Sequence, residues 1–148
     1  MNIIRAQKKH IVQASQILFE AYYDSQKSAA NYLRQKIQSK EVLVMLHENI
    51  VVGVLIYTRN FSHYSNYVED IVVAKKYRRK GIAKKLLSYY VHISRQEQPN
   101  KQSYALSSTN VENKISIKMH KKFGFKVLGK VKKLHYGKDE IIFGYSLK

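Results

Sequence analysis

The segment from Tyr67 to Ser107 constrains the fold most. Tyr67–Ala74 reads as a strand, with Ile71, Val72 and Val73 at its buried end. Ile82, Ala83, Leu86, Leu87, Tyr90 and Ile93 then recur at helical spacing, with Lys84, Lys85, Ser88, His92 and Arg95 on the opposite face. Pro99-Asn100 closes this unit, and Ser103–Ser107 reads as a further short strand. A strand–helix–strand crossover at mid-chain demands a mixed α/β architecture.

The flanks supply the rest of the sheet. Asn2–Ala6 is an edge strand. Helices are predicted at Lys8–Tyr23, on Ile11, Val12, Ala14, Ile17, Leu18, Ala21 and Tyr22, and at Ser28–Gln38, with Ala29, Tyr32, Leu33, Lys36 and Ile37 near one face. Glu41–His47 and Ile50–Arg59 form a hairpin. Phe61–Asn66 is polar and aromatic and reads as a loop. Asn113–Phe123 is a helix closed by Gly124. Two last strands, Phe125–Leu134 and Glu140–Leu147, are joined by Tyr136-Gly137-Lys138-Asp139. The expected order is β-α-α-β-β-β-α-β-α-β-β, a mixed and mostly antiparallel sheet.

Composition narrows the function. A chain of 148 residues suits a single domain, residues 1–148. With no cysteine there is no disulfide framework, thiolate nucleophile or cysteine zinc site, and six scattered histidines give no metal motif. The apolar run Ile50–Tyr57 falls far short of the ~20 residues of a membrane span, and no signal peptide is visible, so a cytoplasmic location is the default. A net charge of +17 invites an anionic partner. Spread-out lysines in a chain also rich in isoleucine, asparagine and tyrosine fit coding bias plus a small anionic ligand better than a nucleic-acid surface. Base stacking needs exposed aromatics among the lysines, yet Tyr90 lies on the apolar side of its helix and Tyr77 stands alone.

The stretch AKKYRRKGIAKK, residues 74–85, joins the buried strand to the amphipathic helix. Unpaired N–H groups at a helix N-terminus attract anions. Gly81 lets a phosphate approach the backbone, and Ala83 leaves room beside it. Neither G-x-x-x-x-G-K-[ST] nor G-x-G-x-x-G is present. The stretch VEDIVVAKKYRRKGIAKKLL resembles the cofactor motif [QR]-x-x-G-x-[GA] of the GNAT-type N-acetyltransferases, with Arg78, Gly81 and Ala83 at its defining positions. NKISIKMHKKFGF is similar to the second motif of that family, through Asn113, Gly124 and Phe125. The resemblance extends over the element order from Asn2 to Leu147.

That resemblance implies acetyl-CoA as cosubstrate and a sheet splayed between its fourth and fifth strands. The backbone of Arg78, Arg79, Lys80, Gly81, Ile82, Ala83 and Lys84 would grip pyrophosphate. Ile71, Val72 and Val73 would pair with the pantetheine arm, and Asn113 would fix it from the other side of the opening. The Val73 N–H would donate to the oxyanion.

Acetyl transfer needs a neutral amine, and a free alkylamine has a pKa of about 10.4. A base is therefore required. Among ten carboxylates, Glu69 and Asp70 adjoin at the outer end of the cofactor strand, where alternation sends them to opposite faces. The family resemblance favours Glu69, with Asp70 as backup. The same resemblance expects a tyrosine acid where this chain has His120, a residue able to donate near neutral pH. The acceptor would meet Tyr22, Tyr23, Asp24 and Tyr32, the loop Phe61–Tyr64 and the turn His135–Lys138 with Tyr136. The expected activity is acetyl transfer to a primary amine on a small molecule or protein. A non-catalytic acyl-CoA sensor and a basic nucleic-acid module are the alternatives, and a homodimer is left open.

Overall fold

The computed structural model describes residues 1–62, 65–98 and 103–148. The strands are β1 (Asn2–Arg5), β2 (Val42–His47), β3 (Ile50–Ser62), β4 (Ser65–Val73), β5 (Tyr104–Asn110), β6 (Lys126–His135) and β7 (Lys138–Ser146). The helices are α1 (Ile11–Ala21), α2 (Gln26–Gln38), α3 (Ile82–Glu97) and α4 (Lys114–Phe123). One seven-stranded sheet runs in the order β1-β2-β3-β4-β5-β7-β6. The pairs β1–β2, β2–β3, β5–β7 and β6–β7 are antiparallel. β4 and β5 are parallel through the couple Tyr67–Leu106. The mixed, mostly antiparallel architecture is therefore present, and no described helix is long and apolar enough to cross a membrane.

Packing groups the chain into two units: Met1–Tyr57 with Asp70–Tyr90, and Thr58–Glu69 with Val91–Lys148. In the first, Ala14, Ile17 and Leu18 of α1 and Ala29 and Leu33 of α2 pack on Val42, Val44, Val54, Ile56 and Val72. Each such side chain contributes ~1.5–3 kcal/mol when fully buried. A Cβ on Gly53 would lie 2.8 Å from Ile82 and 3.1 Å from Leu86, so glycine is what lets α3 approach β3. Val12, counted with the apolar face of the first helix, is instead 71% exposed, because the face centred on Ala14 and Leu18 leaves it outside the arc. The helix also starts later than expected, at Ile11, behind a 3-10 turn over Lys8–His10. α2 starts earlier, because Ser25 caps it by accepting from the Ser28 N–H at 3.0 Å. Lys36 is buried and pairs with Glu41 at 3.2 Å, which explains a lysine on an apolar face. Glu48 and Asn49, both at positive φ, make the tight β2–β3 turn.

In the second unit the expected loop over Phe61–Asn66 is corrected. β3 continues to Ser62 and β4 begins at Ser65, and the Pro99-Asn100 closure and residues His63 and Tyr64 lie outside the described residues. Backbone pairing is indifferent to side-chain polarity, and local contacts hold the strand ends. Phe61 stacks on Tyr67 at 4.8 Å. Asn66, fully buried, accepts from the Asn60 N–H and Gln98 and donates to Ser94 and Glu97. At the C-terminal side, Asn113 caps α4 by accepting from the Ser116 N–H, and Gly124 ends it at φ 118°. The β6–β7 turn uses Tyr136 and Gly137 at positive φ. Gly144 on β7 has no room for a Cβ, which would fall 2.5 Å from Leu128 and 2.9 Å from Tyr104.

Candidate active site

In the first unit, β4 runs out at Val73, a 3-10 turn covers Lys75–Tyr77, and α3 begins at Ile82. Arg79 and Gly81 both sit at positive φ (62° and 77°), which curls the backbone ahead of the helix. The first N–H groups of α3 have no carbonyl one turn behind them, and they face outward along the favourable end of the dipole. A Cβ on Gly81 would meet nothing within 4 Å, so its flank is open. Arg79, Lys80 and Lys84 are exposed, whereas Ile82 is buried and anchors the helix start. Arg78 does something more definite than add charge. Its Nε donates to the Val73 carbonyl at 3.1 Å, tying the loop to the end of β4. Lys76 and Lys80 lie over the Tyr77 ring at 5.9 and 5.4 Å. Anionic phosphates fit this set: outward N–H groups, an open glycine flank and surrounding cations.

Asp70 belongs to the same unit. Its carboxylate accepts from the Tyr22 hydroxyl and, at 2.9 Å, from the Tyr23 hydroxyl. Tyr22 and Tyr23 stack at 5.4 Å, and Tyr23 tilts against Tyr32 at 6.4 Å. Asp24 is exposed beyond them. Burial pushes the Asp70 carboxyl up to about 6. A carboxyl raised in this way adds stability in full below its unfolded pKa near 3.8 and loses it as pH climbs through about 6. Wild-type stability should therefore fall between about pH 4 and pH 7 relative to Asp70→Asn, by about 3 kcal/mol at most. Urea unfolding of both proteins across that range checks it; parallel pH profiles would refute it.

The second unit holds Glu69, which accepts from the Thr58 hydroxyl. Its carboxyl is pushed above the ordinary range by burial. His120 is 1% exposed, stacked on Phe143 at 4.6 Å with Phe125 against its edge. Its Nδ1 lies 2.8 Å from the Ser116 carbonyl oxygen, which can only accept, so Nδ1 carries the proton. Nε2 then accepts from the Ser107 hydroxyl at 2.7 Å. Burial lowers the His120 pKa, with the Ser116 carbonyl acting in the opposite direction. The ring is thus held neutral with both nitrogens engaged. Tyr136, by contrast, is 95% exposed at its hairpin tip.

Three residues that motif reading missed form a chain across neighbouring strands. The Tyr67 hydroxyl is hydrogen-bonded to Ser108 Oγ, which donates to Glu140 Oε2 at 3.0 Å. Period two along β4 puts Tyr67 on the same face as Glu69, and that was the available signal. Among the described residues no group of three or more His, Asp or Glu could hold a metal ion.

The profile of the acetyltransferase (GNAT) family matches residues 11–125. No curated protein sequence matched significantly. Among solved structures, a GNAT-family acetyltransferase from Bacillus cereus is 28% identical with a TM-score of 0.83, over 98% of this chain and 96% of that one. An N-acetyltransferase from Staphylococcus aureus is 21% identical with a TM-score of 0.82, covering 99% and 98%. The protein yncA of Salmonella typhimurium, solved with its cofactor acetyl-CoA, is 18% identical with a TM-score of 0.80, covering 99% and 94%.

Proposed function

The chain belongs to the GNAT acetyltransferase family, and from that premise we propose that it moves an acetyl group from acetyl-CoA to a primary amine by direct attack. The observation that carries this reading is the curled backbone at Arg79–Gly81, open on its glycine flank and leading into α3 directly after β4. The outward N–H groups of residues 79–84 would hold the pyrophosphate. The backbone of Ile71–Val73 would hold the pantetheine arm as an added strand, with the Val73 N–H aimed at the developing oxyanion. Asn113 commits Oδ1 to its helix cap, so what it could offer acetyl-CoA is its NH2. Acetyl-CoA supplies the thioester that the amine attacks.

Glu69 is the proposed base, because its carboxyl is partly buried and its pKa is raised toward the range useful near neutrality. Asp70 anchors Tyr22 and Tyr23, which line the approach of the acceptor. His120 enters this scheme as a neutral ring whose Nε2 orients the Ser107 hydroxyl by accepting its hydrogen bond. The reading is tested by calorimetric titration of acetyl-CoA, followed by thiol release with a panel of polyamines, amino acids and peptides. Binding and turnover with at least one amine are expected. Absence of binding would overturn the proposal, and binding without turnover would leave a sensor in its place.

A further inference from the structure

Acetylation of an ammonium ion removes two protons from its nitrogen, and only one returns, to the departing thiolate. One proton must therefore leave the site. We propose that Tyr67, Ser108 and Glu140 form a proton relay that deprotonates the incoming ammonium and discharges the proton near His135. This inference rests on the amine acetyltransferase reading above.

The direction of the hydrogen bonds carries the argument. Ser108 spends its only proton on Glu140 Oε2, so the Tyr67 hydroxyl must be the donor to Ser108 Oγ. Every donor points from Tyr67 toward Glu140. When the ammonium gives a proton to the Tyr67 oxygen, the Tyr67 proton passes to Ser108 and the Ser108 proton passes to Oε2. The nitrogen loses its charge, the carboxylate becomes a carboxylic acid, and both hydroxyls are restored. Glu140 is only 8% exposed, and its second oxygen, Oε1, has no hydrogen-bond partner among the described residues. His135 Nδ1 lies 4.0 Å from Oε1 on a half-exposed side chain, so a half-turn of the protonated carboxyl would carry the proton received from Ser108 to the imidazole. A buried carboxylate with one oxygen on a directed chain and the other beside a solvent-facing imidazole is a conduit rather than a surface ion pair.

At the entrance, Tyr67 stacks on Phe61 and shares its strand face with Glu69. The charged groups on elements packed against Glu140 are His135 and the lysines Lys126, Lys130, Lys132 and Lys133 of β6, with Lys138 of its own strand held by Glu112 and Asp139 accepting from the Lys133 N–H. Glu69 is the remaining carboxylate along the face of β4.

The test uses the full chain and the best amine of the panel. Tyr67→Phe, Ser108→Ala and Glu140→Gln should each lose about 100-fold in kcat/KM near pH 6.5. The loss should shrink below about 10-fold near pH 9.5, where the neutral fraction of an alkylamine has grown roughly 1,000-fold over pH 6.5, to about a tenth. Ser108→Thr keeps a hydroxyl and should recover most of the rate lost in Ser108→Ala. Independently of turnover, the Tyr67 ring-carbon NMR signal should shift in Ser108→Ala and in Glu140→Gln but not in Ser108→Thr. Deficits that do not vary with pH, or a Tyr67 signal blind to Glu140, would overturn the relay alone. No turnover of any amine by the wild type would overturn the relay together with the function it serves.

Discussion

Glu69→Gln should acetylate amines about 10²–10⁴-fold more slowly at neutral pH while binding acetyl-CoA as the wild type does. Glutamine has the shape of glutamate, and its carbonyl oxygen can still accept from Thr58, so the middle of β4 keeps its geometry. Only the capacity to take a proton is lost. Burial raises the Glu69 carboxyl, and a base works in its ionised form. The wild-type rate should therefore fall as pH drops through that raised value, and the variant should lack the step. Steady-state rates from about pH 5 to 9, with thermal melts as a folding control, check both points. A variant with full rate from about pH 6 to 9 would remove Glu69 from the mechanism.

Gly81→Val should weaken acetyl-CoA binding by about 10–100-fold, equivalent to about 1.4–2.8 kcal/mol. The backbone at Gly81 has φ of 77°, where a β-branched residue pays about 1–2 kcal/mol or more in strain. No protein atom lies within 4 Å of the new Cβ, so crowding inside the fold is not the cause. The backbone would relax instead, turning the N–H groups ahead of α3 away from a shared focus, while the methyls occupied the open flank. Net charge does not change, which separates this effect from a charge patch. Lys80→Ala should weaken binding less, and its effect should fade with added salt. Calorimetry at two ionic strengths distinguishes them; an unaltered affinity for Gly81→Val would remove the loop from the site.

The fold was legible wherever periodicity and punctuation agreed. The stripe of α3, the Gly124 stop and the valine-rich hairpin all declare themselves locally. The Phe61–Asn66 segment did not, because its strand character comes from Asn66 bonding to Asn60, Ser94, Glu97 and Gln98, partners distant in sequence. Val12 failed for a related reason: an apolar residue at the margin of a helical arc has no signal for which side it takes. In the candidate site, Gly81 and Asn113 are proposed because motifs mark them, and Glu69 because two carboxylates adjoin there and the family resemblance favours it over Asp70. Arg78 gained a role that no motif states, through the Val73 carbonyl. Tyr67, Ser108 and Glu140 come from three strands, and only pairing brings them together.

Gly144 sets the order in which this family of sequences can drift. Its missing Cβ is space already taken by Tyr104 and Leu128, one residue on each strand beside β7. A larger residue at 144 is tolerable only when Tyr104 has shrunk and Leu128 has turned its Cδ1 aside, so substitutions at the three positions are expected to be coupled. The same interlock opposes a one-residue slip of β7, which would turn Glu140 to the opposite face of the sheet. Descendants that lose Tyr104 first would thus be freed to explore position 144, and with it the alignment that keeps Ser108 and Glu140 in reach of each other.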